Sequence, residues 1–455
     1  MSVRDEPMQV IVDSDSIRVV SAGETGPASL ALGSLIDGPV NSVLRMTADG
    51  PVWMPVDETP IVKRLNPITQ QMVSPPTVTQ GVADAASVIV GGTLLLTNAD
   101  PTNILTYFGC EGGFTGSYPY DTFYGPRNLR QGGGGGDLHY VTSGWGVEFE
   151  YDDDELELYA LGQGAGYRLT VDGEGYESRD GHTLAATGSA YYLHYQFDDA
   201  RPRRLRWDFD PNFVLGGIRR TASGTLSQTT KALGPKVAVL GDSFAEGVDT
   251  SHWYTGFGDR LGQYCAWRDV NMSGYGGTGY LADNPGGIYG ALTFRDRLQK
   301  DIIDAAPDIV IVAGGLNDQG GYVEATFETE ADLLFDAIMT GLPDCALIVL
   351  GPFWPDGEPV ANDIKVRDSI REKSLPYARL FIDNLGGTIP YTGTEADYKD
   401  TGWMTGTGYV TNEQHDGNAD FYTTTDGTHP TQAGHDYLAL RLAEAIALDA
   451  PELLG

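Results

Sequence analysis

The chain has 455 residues, and 29 Lys and Arg against 63 Asp and Glu leave a formal net charge of −34. That length accommodates two or three separate cores, and with 41% hydrophobic residues the acidity belongs to the surface of a folded protein, not to a disordered chain. So negative a surface repels phosphate backbones and anionic lipids, which excludes nucleic acid as a partner, because the nearest basic patch, Arg201, Arg203, Arg204 and Arg206, alternates as on a solvated strand face.

Cys110, Cys265 and Cys345 are too far apart for a zinc site or a disulfide scaffold, and one disulfide stays open. The opening MSVRDEPMQVIVDSDS breaks its apolar stretch with charge too early for a signal-peptide core. No run approaches the roughly eighteen apolar residues of a membrane span. Folding in a cytoplasm is expected; virion parts and proteins exported as assemblies share these features, so the place of action stays open.

Residues 1–100 alternate short apolar stretches with Gly, Pro, Asp and Thr, which predicts short strands and turns in an extended β-rich anchoring or linker region, with a linker from Pro60 to Pro76. A disordered tail fits the composition equally.

Residues 101–233 read as a β-sandwich. Val147, Phe149 and Tyr151 alternate with Glu148 and Glu150, Leu156 and Leu158 with Glu155 and Glu157, and Tyr167, Leu169 and Val171 keep the period. Further strands fit Tyr191 to Phe197 and Arg203 to Phe209. This predicts an antiparallel sheet with one wet face, in a domain suited to binding carbohydrate. Gly132 to Gly136 is a flexible loop, since no GK[ST] follows it.

Residues 234–455 change character. KVAVLG, DIVIVAGG, ALIVLGP and ARLFID are short continuous apolar runs, as strands covered on both faces require. Helices are predicted at Glu324 to Met339, Asp363 to Glu372 and Thr431 to Leu448. Such α/β sheets bind ligands at the carboxyl ends of their strands, so GDSFAEG, GGLNDQGG and GPFWPDG converge on one crevice.

In that crevice Ser243 follows a buried strand at a tight turn; read alone, it fits a helix N-cap as well as a nucleophile. Asp426-Gly-Thr-His429 sets a carboxylate three residues before an imidazole, the pair that a serine nucleophile needs as orienter and general base. Asn317 offers an amide donor to a tetrahedral oxyanion, and the glycine cluster NMSGYGGTG, Asn271 to Gly279, offers close backbone approach. His139, His182, His194, His252, His415 and His435 are scattered and form no metal motif; His435 reads as an ordinary polar residue of the last helix, and Asp318 and Asp383 as structural carboxylates.

These four blocks resemble the SGNH or GDSL hydrolase superfamily over about 220 residues, from Lys236 to Gly455. The resemblance implies a three-layer α/β fold with a parallel sheet and ester hydrolysis through an acyl-enzyme on Ser243. It implies a triad of Ser243, Asp426 and His429, and an oxyanion hole formed by the Ser243 N–H, Gly276 (with Gly274 as a competing choice) and Asn317. No cofactor and no metal are implied. A jelly-roll-like sandwich placed before such a domain looks like two-domain carbohydrate esterases that remove acetyl groups from polysaccharides. Trp145, Tyr151, Tyr167, Trp207, Trp253 and Trp354 are then candidates for stacking on sugars, although core positions suit most of them. Finally, VLRMTADGPVWMPV resembles glycine-turn strands near the start of phage tail and tail-fibre proteins. That implies a virion-tail esterase made in the host cytoplasm, held to other tail proteins by its N-terminal region and acting on a polysaccharide or glycolipid ester of a bacterial envelope. The alternatives are a non-catalytic glycan- or receptor-binding tail protein, and a free bacterial deacetylase or lipase, cytoplasmic or non-classically exported.

Overall fold

The computed structural model describes residues 72–96, 104–109, 144–173, 175–178, 181–232, 234–286 and 292–455, with the backbone of four earlier strands. Those four are β1 (Gln9–Asp13), β2 (Ser16–Val20), β3 (Ser42–Thr47) and β4 (Gly50–Pro55). They pair as two antiparallel hairpins, in a unit, Met1–Lys63, separate from Arg64–Gly455. Cys110, His139, the Gly132 to Gly136 loop and the Pro60 linker as far as residue 71 lie outside the described residues.

The second unit begins with β5 (Thr77–Gln80), β6 (Thr93–Leu96), β7 (Thr106–Phe108), β8 (Trp145–Tyr151), β9 (Glu155–Leu161) and β10 (Gly166–Val171). It continues through β11 (Gly175–Tyr176), β12 (His182–Thr183), β13 (Ala190–Gln196), β14 (Arg203–Phe209), β15 (Val214–Arg220) and β16 (Leu226–Ser227). One antiparallel sheet runs β11-β10-β14-β8-β16, with β12 on β10 and β7 on β8; the other runs β5-β13-β9-β15-β6. Thus β5 and β6, inside the expected anchoring region, close the two edges of a sandwich sheet. Alternate residues of facing strands, among them Phe149, Leu158, Leu169, Leu193, Leu205, Trp207 and Ile218, form one core. Four of the proposed sugar-stacking aromatics, Trp145, Tyr151, Tyr167 and Trp207, belong to that core, because the pleat turns them inward.

The expected wet face is corrected for the larger sheet. Its outward residues Glu148, Arg168, Thr170 and Asp208 are buried, because a second layer covers them. Arg168 Nη2 donates to Asp208 at 3.0 Å and to Asp259 of that layer at 3.3 Å. Arg204 and Arg268 both meet Glu148, and Arg206 Nη1 donates to Arg268 O at 2.8 Å. Arg204 and Arg206 are therefore neutralised in an interface instead of solvated, whereas Arg201 stays half exposed and pairs, as Arg203 does, with Asp199 of the sandwich.

That layer is the α/β region. Five parallel strands, β17 (Lys236–Gly241), β18 (Asp269–Gly274), β19 (Ile309–Ala313), β20 (Ala346–Leu350) and β21 (Leu380–Ile382), lie in the order β18-β17-β19-β20-β21. The helices are α1 (Ser243–Glu246), α2 (Phe257–Cys265), α3 (Phe294–Leu298), α4 (Glu324–Gly341), α5 (Ala361–Ser374), α6 (Ala419–Tyr422) and α7 (Gln432–Asp449). Val239, Ile311 and Ile348 share a core with Leu261 of α2 and Leu442 of α7. Leu240, Val310 and Val349 share the opposite one with Leu298, Phe335 and Ile370 of α3, α4 and α5. Strands buried on both faces explain the unbroken apolar runs. Cys265 and Cys345 are free thiols, and among the described residues no helix is long and apolar enough to cross a membrane.

Candidate active site

Three loops leave the carboxyl ends of β17, β18 and β19 and meet in one cleft of about 610 Å³, lined by Ser243, Glu246, Tyr275, Gly276, Asn284, Asn317 and His429 among others. Such a volume suits a sugar-sized group.

At the end of β17, Asp242 caps α1: its Oδ1 accepts the Phe244 N–H at 3.0 Å. Gly247 ends the single turn in the left-handed conformation at φ 81°. Ser243 therefore starts a one-turn helix against the sheet edge and is 7% exposed. The helix lies so close to β18 that a Cβ on Gly274 would stand 2.1 Å from Glu246 N; only glycine fits. Gly274 packs there, outside the cleft lining, whereas Gly276 lines it. A Cβ on Gly276 would stand 3.5 Å from Ser243 Cβ.

The turn bearing His429 is built around one carboxylate. Asp426 Oδ1 accepts the N–H groups of Thr428 and His429 at 2.8 and 2.9 Å and the Thr424 hydroxyl at 2.8 Å. Asp426 Oδ2 meets His429 Nδ1 at 2.5 Å. Burial raises the Asp426 pKa, but the hydrogen bonds from His429, Thr428 and Thr424 outweigh it and hold the carboxyl well below its ordinary range. With Nδ1 bound to Asp426, Nε2 is left for proton transfer. The His429 ring lies 6.0 Å from that of Phe244, centroid to centroid, which sets it beside α1.

Asn317 Nδ2 donates to Thr278 O at 3.0 Å, which fixes the amide at the cleft wall. Asp318, buried next to it, accepts the N–H groups of Tyr280, Leu281 and Ala282 at 3.0, 2.8 and 2.8 Å and so shapes the loop after Gly276. Burial pushes its pKa up against those three donors. Burial likewise carries Asp242 to about 7, with the Asp318 charge adding to it and the Phe244 N–H, His429 and Arg297 opposing it.

Three contributors escaped the sequence reading. Arg297 is buried and donates to Ser273 O at 2.7 Å and Gly241 O at 2.5 Å, joining the ends of β17 and β18 where the two loops depart. No motif announces it. Glu246 reaches the Gly276 N–H at 2.8 Å; its place in GDSFAEG was legible, its partner was not. His435 is completely buried, bonds Val248 O at 2.9 Å and is brought down to about 4 by burial, so it is no ordinary surface polar residue. Trp253 and Trp354 are partly buried and lie outside the cleft lining.

Residues 239–437 match the model of the GDSL-like Lipase/Acylhydrolase family. The C-terminal region is a GDSL/SGNH hydrolase domain. It is the catalytic domain of a serine ester hydrolase. The GDSL lipase Rv0518 of Mycobacterium tuberculosis is 28% identical over 233 residues, 48% of this chain and 83% of that protein. Solved structures extend the likeness in fold across the sandwich. The salicylyl-acyltransferase SsfX3 of a tetracycline biosynthetic pathway matches 79% of this chain and 98% of its own, at 16% identity and TM-score 0.54. A family two carbohydrate esterase from Clostridium thermocellum, in complex with cellohexaose, matches 69% of this chain and 94% of its own, at 18% and 0.50. The acetyl xylan esterase Est2A of Butyrivibrio proteoclasticus matches 78% and 98%, at 12% and 0.50. The GDSL/SGNH domain and the sandwich thus occur here in the arrangement of carbohydrate esterases.

Proposed function

We propose that the enzyme removes acyl groups, acetyl above all, from a bacterial cell-envelope polysaccharide, with Ser243 as nucleophile, His429 as general base and Asp426 as its orienter. The observation that carries the roles is one cleft lined by Ser243, Gly276, Asn317 and His429, with Asp426 on the far ring nitrogen of His429. Ser243 Oγ bonds to the ester carbon while its proton passes to His429 Nε2. The oxyanion takes hydrogen bonds from the N–H groups of Ser243 and Gly276 and from Asn317 Nδ2, each donor contributing about 3 kcal/mol in the transition state. The C–O bond to the sugar breaks, and the leaving oxygen receives the proton from His429. Water, deprotonated by His429, then attacks the acyl-enzyme; the carboxylic acid leaves and Ser243 regains its proton.

The carbohydrate reading draws support from the solved relatives, one an acetyl xylan esterase and another a complex with cellohexaose. For the setting we propose a phage tail, with residues 1–63 as the attachment unit; the pairing of β3 with β4 agrees with the glycine-turn strands that prompted it. Hydrolysis of p-nitrophenyl acetate by wild type and Ser243→Ala tests the chemistry: activity should vanish in the variant, and equal rates, or none from either protein, would favour a glycan-binding protein. Mass spectrometry of acids released from isolated envelopes tests the substrate, with acetate expected and long-chain acids pointing to a lipase. Deletion of residues 1–63, which spares β5, should abolish incorporation into particles and leave esterase activity intact; unchanged incorporation would remove the tail setting.

A further inference from the structure

The assignment of Gly276 as an oxyanion donor meets an obstacle inside the cleft. Its N–H is already given to Glu246 Oε2, at 2.8 Å. On the other side of the same residue, Asn284 Nδ2 donates to Gly276 O at 2.9 Å. A Cβ on Gly276 would stand 2.9 Å from Glu246 Oε2 and 3.5 Å from Ser243 Cβ, so carboxylate, glycine and nucleophile crowd one point. An N–H bound to a carboxylate is held about twice as strongly as by a neutral acceptor. An arriving ester oxygen therefore has to displace Glu246, and the displaced carboxylate, half-buried in the cleft, gives up that charge-assisted bond unless the substrate offers a donor in exchange. A simple alkyl or aryl ester brings none, and an anionic one repels it. A partly acylated sugar brings hydroxyl groups next to the ester.

We propose that Glu246 is a specificity-determining residue: its carboxylate holds the Gly276 N–H in the resting enzyme and yields it to esters with a free hydroxyl beside the acyl group, which selects monoacylated carbohydrate over alkyl, aryl and anionic esters. This rests on the reading of Ser243 as nucleophile and Gly276 as donor. The geometry also gives Glu246 a rate cost on artificial esters, because such substrates must open the Glu246–Gly276 bond without replacing it.

The test compares kcat and KM of wild type, Glu246→Ala and Glu246→Gln on p-nitrophenyl acetate and on a methyl glycoside with one acetyl group next to a free hydroxyl. In Glu246→Ala the freed donor should raise kcat/KM on the aryl ester about tenfold and lower it on the glycoside, so the ratio of the two moves by well over tenfold. Glu246→Gln, of the same size and without the charge, should give an intermediate ratio and carries the test if the alanine variant fails to fold. A ratio unchanged in the folded variants, whether both rates hold or both fall together, overturns the proposal for Glu246. Ser243→Ala run alongside separates the two levels: if it stays active, the underlying reading fails; if it is inactive while the ratio is constant, only the role of Glu246 does.

Discussion

Two aspartates of the cleft region end on opposite sides of the ordinary carboxyl range, because burial raises both and only Asp426 has hydrogen bonds enough to outweigh it. Asp242 has one backbone donor against complete desolvation and rises to about 7; Asp426 collects four donors and falls. Their effects on stability have opposite signs. Asp426, depressed in the folded state, adds stability at pH above its ordinary value of about 3.9, and that contribution is lost as the pH falls through its folded pKa. Asp242, raised, contributes fully below about pH 4 and loses its contribution as the pH climbs through about 7. In Asp242→Asn the decline of Tm between about pH 4 and pH 7 should flatten in thermal melts; an unaltered decline would place the titration elsewhere. Asp426→Asn leaves His429 in the wrong tautomer and should cut kcat about 10⁴-fold with little change in KM, measured on p-nitrophenyl acetate. The sequence located Ser243, Asp426 and His429 through their motifs. It had no way to show that Glu246, three residues after Ser243, spends the Gly276 donor, since that contact joins two loops.

Secondary-structure elements divide in the same way. Helices α4, α5 and α7 follow the predicted spans within a few residues, because α4 and α5 are rich in helix-favouring residues, while α7 repeats apolar residues at helical spacing and begins on Thr431, whose hydroxyl accepts the Gly434 N–H at 3.0 Å. Short α2 and α3 were not legible: the apolar stripe of α2, Phe257, Leu261 and Cys265, is confined to nine residues interrupted by glycine and charge, and α3 has only five residues, two of them arginines. Their charges are spent on tertiary contacts. Arg297 of α3 joins β17 to β18 and lies 3.7 Å from Asp301, both fully buried. Arg297→Met should leave Asp301 and two strand-end carbonyls without this partner and cost about 3–5 kcal/mol, read as a fall in denaturation midpoint. A loss below about 1 kcal/mol would mean that the strand ends hold without it.

Across the whole molecule, the sandwich is welded to the hydrolase layer. Besides the Arg168 pairs, Gln263 Nε2 donates to Tyr176 OH at 2.6 Å, and Asp210 accepts the Trp253 N–H at 2.9 Å while its other oxygen meets His252 Nδ1 at 3.0 Å. Thr255, close by, bonds Gln432 at the start of α7, three residues after His429. Residues 64–455 should therefore unfold in one calorimetric transition, and two separated transitions would contradict the fused interface. Arg168→Met brings Asp208 and Asp259 together without their shared cation and should lower stability by about 3–5 kcal/mol, read as a fall in denaturation midpoint. The net charge of −34 gave no hint of this, because a total does not say which charges face each other.

By itself the sequence determined the class of every main layer, the parallel strands and the chemical blocks at their ends, since periodicity and short motifs are local properties of the chain. Only the tertiary structure decided which sheet face is dry, that β5 and β6 belong to the sandwich, and which donors in the cleft are already engaged. Those outcomes depend on contacts between residues up to 160 positions apart, as in the Gly109–Asp269 bond, and such contacts leave no periodic trace in the chain that makes them.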